Sequence, residues 1–333
     1  MEMIMSTLII AVVFTLIISR KGIIERLKSS KQKKEKILLE DALKYFYDCE
    51  SVNKYFFVEA FVKHLSISND KAEILLKKME SLGLIILKEN KRVLSDEGKA
   101  YAIQIIRVHR LWENYLAEKT SLESSKWHIK ADEAEHNISP DEANELAAKM
   151  GNPLFDPHGD PIPFDNGKVF SKMGKPLEAM NEDEFGQIIH IEDEPAEIYS
   201  QIAALQLYPG LNFQLIKKRK DEFRIKANGK EINLSEPLAK NITVAEIEEN
   251  EATGESYETL ASLNTGEEAE VVEIAKTCRG QQRRRLMDFG VVPGSKIKAE
   301  LKSFGGNPVA YNIRGALIAL RKENAEQIFI RKK

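Results

Sequence analysis

Two stretches decide how this chain is read: Val108-His109-Arg110-Leu111-Trp112-Glu113 and Trp127-His128-Ile129-Lys130-Ala131-Asp132-Glu133-Ala134-Glu135-His136. His109 and Glu113 stand four apart. His128, Asp132, Glu135 and His136 fall at i, i+4, i+7 and i+8, positions that share one face of a helix with 3.6 residues per turn. Two helices would each aim imidazoles and carboxylates at a common space. Three of the chain's six histidines lie in this window. Nitrogen and oxygen donors without a thiolate suit Mn²⁺ or Fe²⁺, and Zn²⁺ is compatible with them. A single His–Glu pair at helical spacing is usually a surface pair contributing a few tenths of a kcal/mol. Two such helices joined by a short connection point to a metal.

The rest of the composition sets bounds. A chain of 333 residues allows two to four domains. With 30% charged residues and a formal net charge of -3, no global basic field announces nucleic acid, so any such affinity must be local. Cys49 and Cys278 are far apart and form no metal or redox spacing. They fit a reducing compartment and read as small core residues. No nucleophile motif or cofactor loop accompanies the ligands, so the chain is not read as an enzyme.

The N-terminus is different. Met3 to Ile18 is a run of 16 uncharged residues; at ~1.5 Å per residue it spans about 24 Å, slightly short of a ~30 Å hydrocarbon core. It lacks the basic start and small-x-small site of a cleaved signal peptide. Eight Lys/Arg between Arg20 and Lys36, against Glu25 and Glu35, place the following chain in the cytoplasm and attract anionic headgroups. The expectation is an apolar membrane segment (1–19), a basic linker (20–36), and a cytoplasmic remainder anchored to the inner face of the cell membrane by residues 3–18. DNA affinity is the competing use of those charges.

Residues 37–97 predict three helices and a hairpin. Leu38, Leu39, Ala42, Leu43 and Phe46 have helical spacing, and Phe56–Leu65 gives a second helix. Ser68-Asn69-Asp70 caps a third over Lys71–Ser81, with Ile74, Leu75 and Met79 inward. Gly83 ends it, and Leu84–Leu87 and Arg92–Leu94 form strands around Glu89-Asn90-Lys91. This is the winged helix-turn-helix order, whose third helix enters the major groove. Residues 98–165 form the helical domain with the ligands, and Leu111, Trp112, Tyr115, Leu116, Leu146 and Met150 supply apolar faces that predict a dimer surface. The loop Asp156-Pro157-His158-Gly159-Asp160-Pro161-Ile162-Pro163 is too proline-rich for regular structure, and His158 reads as a turn histidine, with a metal ligand as the alternative. An internal repeat follows. Leu207-Tyr208-Pro209-Gly210 recurs as Val291-Val292-Pro293-Gly294, and Ile232-Asn233-Leu234 as Ile318-Ala319-Leu320. Each copy reads as a small β-barrel, at 180–247 and 259–333, separated by an acidic linker at 248–258.

These motifs carry a resemblance. Residues 37–163 resemble the DtxR/MntR family of metal-dependent transcriptional repressors through Ser95-Asp96-Glu97-Gly98, His109 to Glu113, His128 to His136, and the Pro157-His158-Gly159 loop; both repeats look like FeoA-type barrels. The resemblance implies an α+β multidomain chain: winged helix-turn-helix, helical metal-binding and dimerisation domain, and two small FeoA-type β-barrels. It implies an ancillary metal site at His109, Glu113 and His128. The primary site would take Asp132, Glu135 and His136, with Asp41 joining from the first helix of the DNA-binding domain. Asp132 stands where some iron-responsive members have cysteine, which leans the site to Mn²⁺ with Fe²⁺ close behind. Lys44 stands where manganese-responsive relatives add a carboxylate, which argues against a two-metal arrangement. Barrel ligands to the ancillary site are sought at Glu194 or Glu197.

Two readings of the address follow. The first is a membrane-anchored, homodimeric, Mn²⁺/Fe²⁺-responsive repressor of metal-uptake genes, touching a DNA operator through Asn69, Lys71, Lys77 and Lys78 on the third helix and Lys91 and Arg92 on the wing. The third helix sums to neutral charge, which favours the alternative: a metal-sensing regulatory subunit of a metal ABC-transporter permease, without DNA binding.

Overall fold

The structure is a computed structural model that describes residues 30–52, 55–170, 174–249 and 257–332. The apolar run 3–18 lies outside the described residues, and no described helix is long and apolar enough to cross a membrane. The described residues divide into two compact units, the first running to Arg107 and including Glu135–Ile138, the second formed by Val108–Ala134 and the residues from Ser139 onward.

The first unit holds helix α1 (30–51), α2 (Val58–His64), α3 (Asn69–Ser81), the hairpin β1 (Ile85–Lys88) and β2 (Lys91–Leu94), and the first half of α4 (Asp96–Lys119). Ser68 accepts from the Lys71 N–H and so meets one of the donors that a helix start leaves free. Ala72, Leu75, Leu76 and Met79 then form the buried stripe of α3, packed with Leu43, Phe46 and Phe61. Ile74, expected to face inward, is 68% exposed; it lies about 100° around the helix from Leu75, off the 72/75/76/79 stripe. β1 and β2 pair in register from Ile85↔Leu94 to Lys88↔Lys91. Glu89 and Asn90 both take positive φ, the turn geometry that matches the twist of a two-stranded ribbon. The Ser95 hydroxyl donates to Gly83 O and accepts from Gly98 N–H, joining the hairpin to the start of α4.

In the second unit, the rest of α4 is followed by α5 (Trp127–Glu135) and α6 (Pro140–Lys149). Ser139 and Glu142 form a reciprocal capping box at the start of α6. Leu111 and Leu116 are buried within the chain, so they are not available to the dimer face assigned to them; Trp112, Tyr115, Leu146 and Met150 are half-buried.

Two six-stranded sheets follow. Strands β3 to β8 are Lys175–Pro176, Phe185–Ile191, Asn212–Lys218, Glu222–Ala227, Lys230–Ser235 and Ile242–Glu246. Strands β9 to β14 are Glu258–Thr259, Glu268–Ile274, Lys296–Lys302, Val309–Ile313, Ala316–Leu320 and Ile328–Lys332. Their orders, β3-β8-β4-β5-β6-β7 and β9-β14-β10-β11-β12-β13, are the same topology shifted by six strands. Each copy carries a helix between its second and third strands, α7 (Ala196–Ala204) and α9 (Gly280–Asp288), and a short one before its last strand, α8 (Glu236–Lys240) and α10 (Lys322–Ala325). The recurring Pro-Gly turns have one role in both: Gly210 and Gly294, at positive φ, donate N–H to Ile188 O and Val271 O. Each copy has its own apolar core. Cys278 is buried in the second; Cys49, expected as core, is only half-buried.

Candidate metal centre

In the second unit, four side chains from α4 and α5 converge. One carboxylate oxygen of Glu113 lies 3.2 Å from His109 Nε2 and 3.4 Å from His128 Nδ1. Asp132 reaches both rings from the other side of the set, 3.2 Å from His109 Nδ1 and 3.4 Å from His128 Nε2. Helical spacing explains this: His109/Glu113 and His128/Asp132 are both i,i+4 pairs. The resemblance placed Asp132 with Glu135 and His136, whereas here it groups with His109 and His128.

Two residues join that the sequence did not assign. Asp193, in the loop before α7, lies 2.9 Å from His128 Nδ1; Glu194, the anticipated barrel ligand, is 3.5 Å from His128 Nε2 and largely exposed. His158 is 1% exposed, with Nε2 at 3.9 Å from Glu113. Its loop is compact because Asp156 accepts from the His158 and Asp160 N–H groups, and His158 O accepts from Ile191 N–H on β4. Gly159 lies so close to β4 that a Cβ would meet Ile189 O at 2.1 Å. Among the described residues, Glu113, His158 and Asp193 thus form a further group able to share an ion.

The electrostatics are those of a site built for positive charge. Burial would raise the Glu113 carboxyl, but His109, His128 and His158 outweigh it and hold the group below its usual range. Burial likewise opposes protonation of His128, while Asp193, Glu113 and Glu194 together push it upward. Burial lowers His158, against the opposing pull of Glu113, Asp193 and Asp160. Glu113 Oε1, His128 Nδ1 and both nitrogens of His158 are buried without a hydrogen bond, although Glu113 Oε1 and His128 Nδ1 have ion-pair neighbours. Orphaned donor atoms of this kind are costly, and a divalent cation held by imidazole and carboxylate would satisfy them together.

A second group lies in the first unit. His136 Nε2 is 3.2 Å from Asp41 Oδ1 and 3.6 Å from Glu135 Oε1. The other ring nitrogen is 2.6 Å from Glu40 Oε2, and Glu40 also accepts from the Tyr101 hydroxyl. Glu40 thereby fixes the ring and leaves Nε2 facing the carboxylates, the outer-shell arrangement common at metal-binding histidines. Glu40 was not anticipated; a 3% exposed carboxylate beside Asp41 is its signal only once burial is known. Burial opposes charge on His136, but Asp41, Glu40 and Glu135 outweigh it and push the imidazole up to about 9. Lys44 lies 2.9 Å from Glu135.

The residues assigned to DNA are at the surface. Asn69, Lys71, Lys77, Lys78 and Lys91 are exposed, and Arg92 is half-buried. Lys77 pairs with Glu73, Lys78 with Glu35 and Arg92 with Glu80, while Lys91 lies over the Tyr55 ring.

Residues 95–164 match the family described as "Iron dependent repressor, metal binding and dimerisation domain", and residues 175–246 and 258–332 each match the FeoA domain. The chain thus carries the metal-binding and dimerisation domain of the iron-dependent repressors followed by two FeoA domains. It is 35% identical over 81 residues to a "probable metal transport system membrane protein" of Chlamydia trachomatis, a match covering 24% of this chain and 18% of the relative. It is 30% identical over 122 residues to the iron-dependent repressor IdeR of Mycobacterium leprae, covering 36% of this chain and 53% of the relative. The chain thus spans about half of the repressor and under a fifth of the transport protein. Among solved structures, a manganese-dependent transcriptional repressor in complex with manganese matches in fold with a TM-score of 0.57 at 23% identity, covering 62% of this chain and all of that one. None of these proteins is described as an enzyme.

Proposed function

We propose that this protein is a metal-responsive transcriptional regulator that binds Mn²⁺ or Fe²⁺ and represses metal-uptake genes as a DNA-bound homodimer. The observation that carries the reading is the set of buried donor atoms on Glu113, His128 and His158 that make no hydrogen bond, which a divalent ion would satisfy. His109, His128 and Asp132, with Glu113, His158 and Asp193 beside them, would hold one ion; Asp41, Glu135 and His136 would hold another. Imidazole and carboxylate donors suit Mn²⁺ and Fe²⁺, and Zn²⁺ can compete for them. Because Asp41 is on α1 and Glu135 and His136 are at the end of α5, an ion bound by all three ties the first helix of the DNA-reading module to the ligand helices. That is a population-shift switch. On DNA, Lys71, Lys91 and Arg92 would take phosphates and the exposed face of α3, Asn69 and Ile74 included, would enter the major groove. The apolar run 3–18 would tether the assembly to the membrane.

A gel shift on the chain's own promoter region, with and without Mn²⁺, tests this reading. Metal-dependent retardation that is lost in Glu113→Gln and Asp41→Asn is expected; DNA binding indifferent to metal sinks it.

A second reading has its own support. The match to the Chlamydia membrane protein, together with the ion pairs already made by Lys77, Lys78 and Arg92, favours a metal-sensing regulatory subunit acting at a transporter permease. Mn²⁺ uptake by the pure protein with no DNA shift at any metal concentration, and co-purification with a permease from membranes, would select it.

A further inference from the structure

The two FeoA copies meet the ligand-bearing segment with the same loop but opposite charge. Helix α7 starts at Ala196 and α9 at Gly280, an offset of 84 residues that aligns Glu192-Asp193-Glu194 with Lys276-Thr277-Cys278. In the first copy this loop is acidic, and Asp193 reaches His128. In the second it is basic and leads into Arg279 and Gly280, which meet the stretch between α4 and α5.

That contact is close and polar. A Cβ on Gly280 would stand 1.9 Å from Thr120 O and 3.4 Å from Ala117 O, and its φ of +57° is in the left-handed region. No side chain fits between the two backbones. Helix α4 ends at Lys119, so these carbonyls lie where the helix has no further N–H to offer, and the positive start of α9 faces them. Arg279 lies 3.8 Å from Glu118, and its guanidinium is 6.0 Å from the centre of the Trp127 ring. Ser121 donates to Gln281 at 3.0 Å. Trp127 is itself fixed: it is 8% exposed, donates its indole N–H to Leu122 O, and packs on Leu116 and Ala117. The next residue is His128.

We propose that the second FeoA domain is a brace for the histidine site, with Arg279 and Gly280 as positioning residues that hold Thr120–Trp127 and so set the orientation of His128. The inference rests on the metal reading of that site. It gives the duplication a division of labour: one copy supplies a carboxylate to the site, and the other clamps the helix that carries its histidine. Groups hydrogen-bonded directly to a metal ligand typically change affinity by 10–100-fold, and Arg279, one step further out, is expected at the lower end, about tenfold.

The test is a Mn²⁺ titration of the full chain by calorimetry, with Glu113→Gln identifying the binding phase of the histidine site. Arg279→Ala should weaken that phase about tenfold and raise amide exchange over residues 117–131, leaving the second phase and the thermal midpoint of unfolding close to the parent's. Arg279→Lys, which keeps the charge beside Glu118 and Trp127, should restore most of the affinity. Arg284→Ala, an exposed charge on the same helix, should change nothing. Gly280→Ala should act in the same direction as Arg279→Ala and more strongly. If Arg279→Ala titrates and exchanges like the parent, or if Arg284→Ala weakens the phase equally, the brace is overturned and the metal reading stands. A parent chain with no phase sensitive to Glu113→Gln overturns both.

Discussion

The ammonium of Lys44 lies 2.9 and 3.0 Å from the two carboxylate oxygens of Glu135, whose side chain is fully buried. An ion bound by Asp41, Glu135 and His136 must therefore share Glu135 with a fixed positive charge. Lys44→Met keeps the length of the side chain and removes that charge. Without metal, a buried carboxylate loses a partner, and the chain should lose about 1–3 kcal/mol of stability. With Mn²⁺ the loss should be recovered, because the ion now meets the carboxylate without competition and binding stabilises the folded state by mass action. Thermal unfolding with and without Mn²⁺ measures both effects. A Lys44→Met chain that binds Mn²⁺ more weakly than the parent would show that Lys44 instead positions Glu135 for the ion.

The same group predicts a pH dependence. The folded-state value of His136 is pushed up to about 9, against about 6.5 for an unperturbed imidazole. The protonated ring's contribution to stability is therefore complete below about 6.5 and lost as pH rises through about 9. The metal-free chain should weaken over that window, and His136→Gln should flatten the slope. Metal binding runs the other way, since only the neutral ring is a ligand: Mn²⁺ affinity should rise over the same interval with release of a proton. Titrations in two buffers of different ionisation enthalpy count the protons released. An affinity independent of pH from 6.5 to 9 would remove His136 from the ligand set.

Much of this was legible in the chain because helices advertise their faces. The i,i+4 spacings of His109/Glu113 and His128/Asp132 appear as neighbouring ligand atoms, and the repeated Pro-Gly turns mark two sheets of one topology. Asp41 beside His136 was reached through family resemblance, since periodicity alone relates no residues so far apart. What was missed lies where no period operates. Asp193 and His158 come from loops whose course is set by tertiary contacts, such as the approach of Gly159 to Ile189, and His158 read alone was a turn residue. The inward placement of Ile74 failed for another reason. The 72/75/76/79 stripe was already wide enough to bury α3, and an apolar residue outside it stayed exposed on the face proposed to meet DNA.

Gly98 lies within α4, where alanine would ordinarily help the helix by ~1 kcal/mol. Here a Cβ would stand 1.9 Å from Leu84 O, at the foot of the β1–β2 hairpin. Gly98→Ala should instead destabilise the winged module by about 1–3 kcal/mol, the usual range for overpacking. The damage should be confined to that module, leaving Mn²⁺ uptake at the His109/His128 site near the parent's. Urea unfolding of Gly98→Ala and of an exposed helix control, Lys99→Ala, separates the clash from propensity. A Gly98→Ala chain as stable as the parent would mean the hairpin can move away from α4 at little cost.

His158 offers the clearest separation of stability from binding. The ring is buried, which disfavours its protonation, and it packs against Tyr199 and Trp127 with neither nitrogen hydrogen-bonded. Such a group costs the folded chain unless something claims its nitrogens. Replacing it with a leucine of similar bulk removes two unsatisfied atoms, so the metal-free protein should be unchanged or more stable by about 1 kcal/mol. If His158 donates to an ion shared with Glu113 and Asp193, the same substitution should lower Mn²⁺ affinity about tenfold or more, and Asp193→Asn should act in the same direction. A purely structural histidine would give the reverse pattern, with lost stability and intact binding. The two signs are read from one pair of thermal melts, with and without Mn²⁺: His158→Leu should raise or preserve the first midpoint and shrink the metal-induced shift of the second.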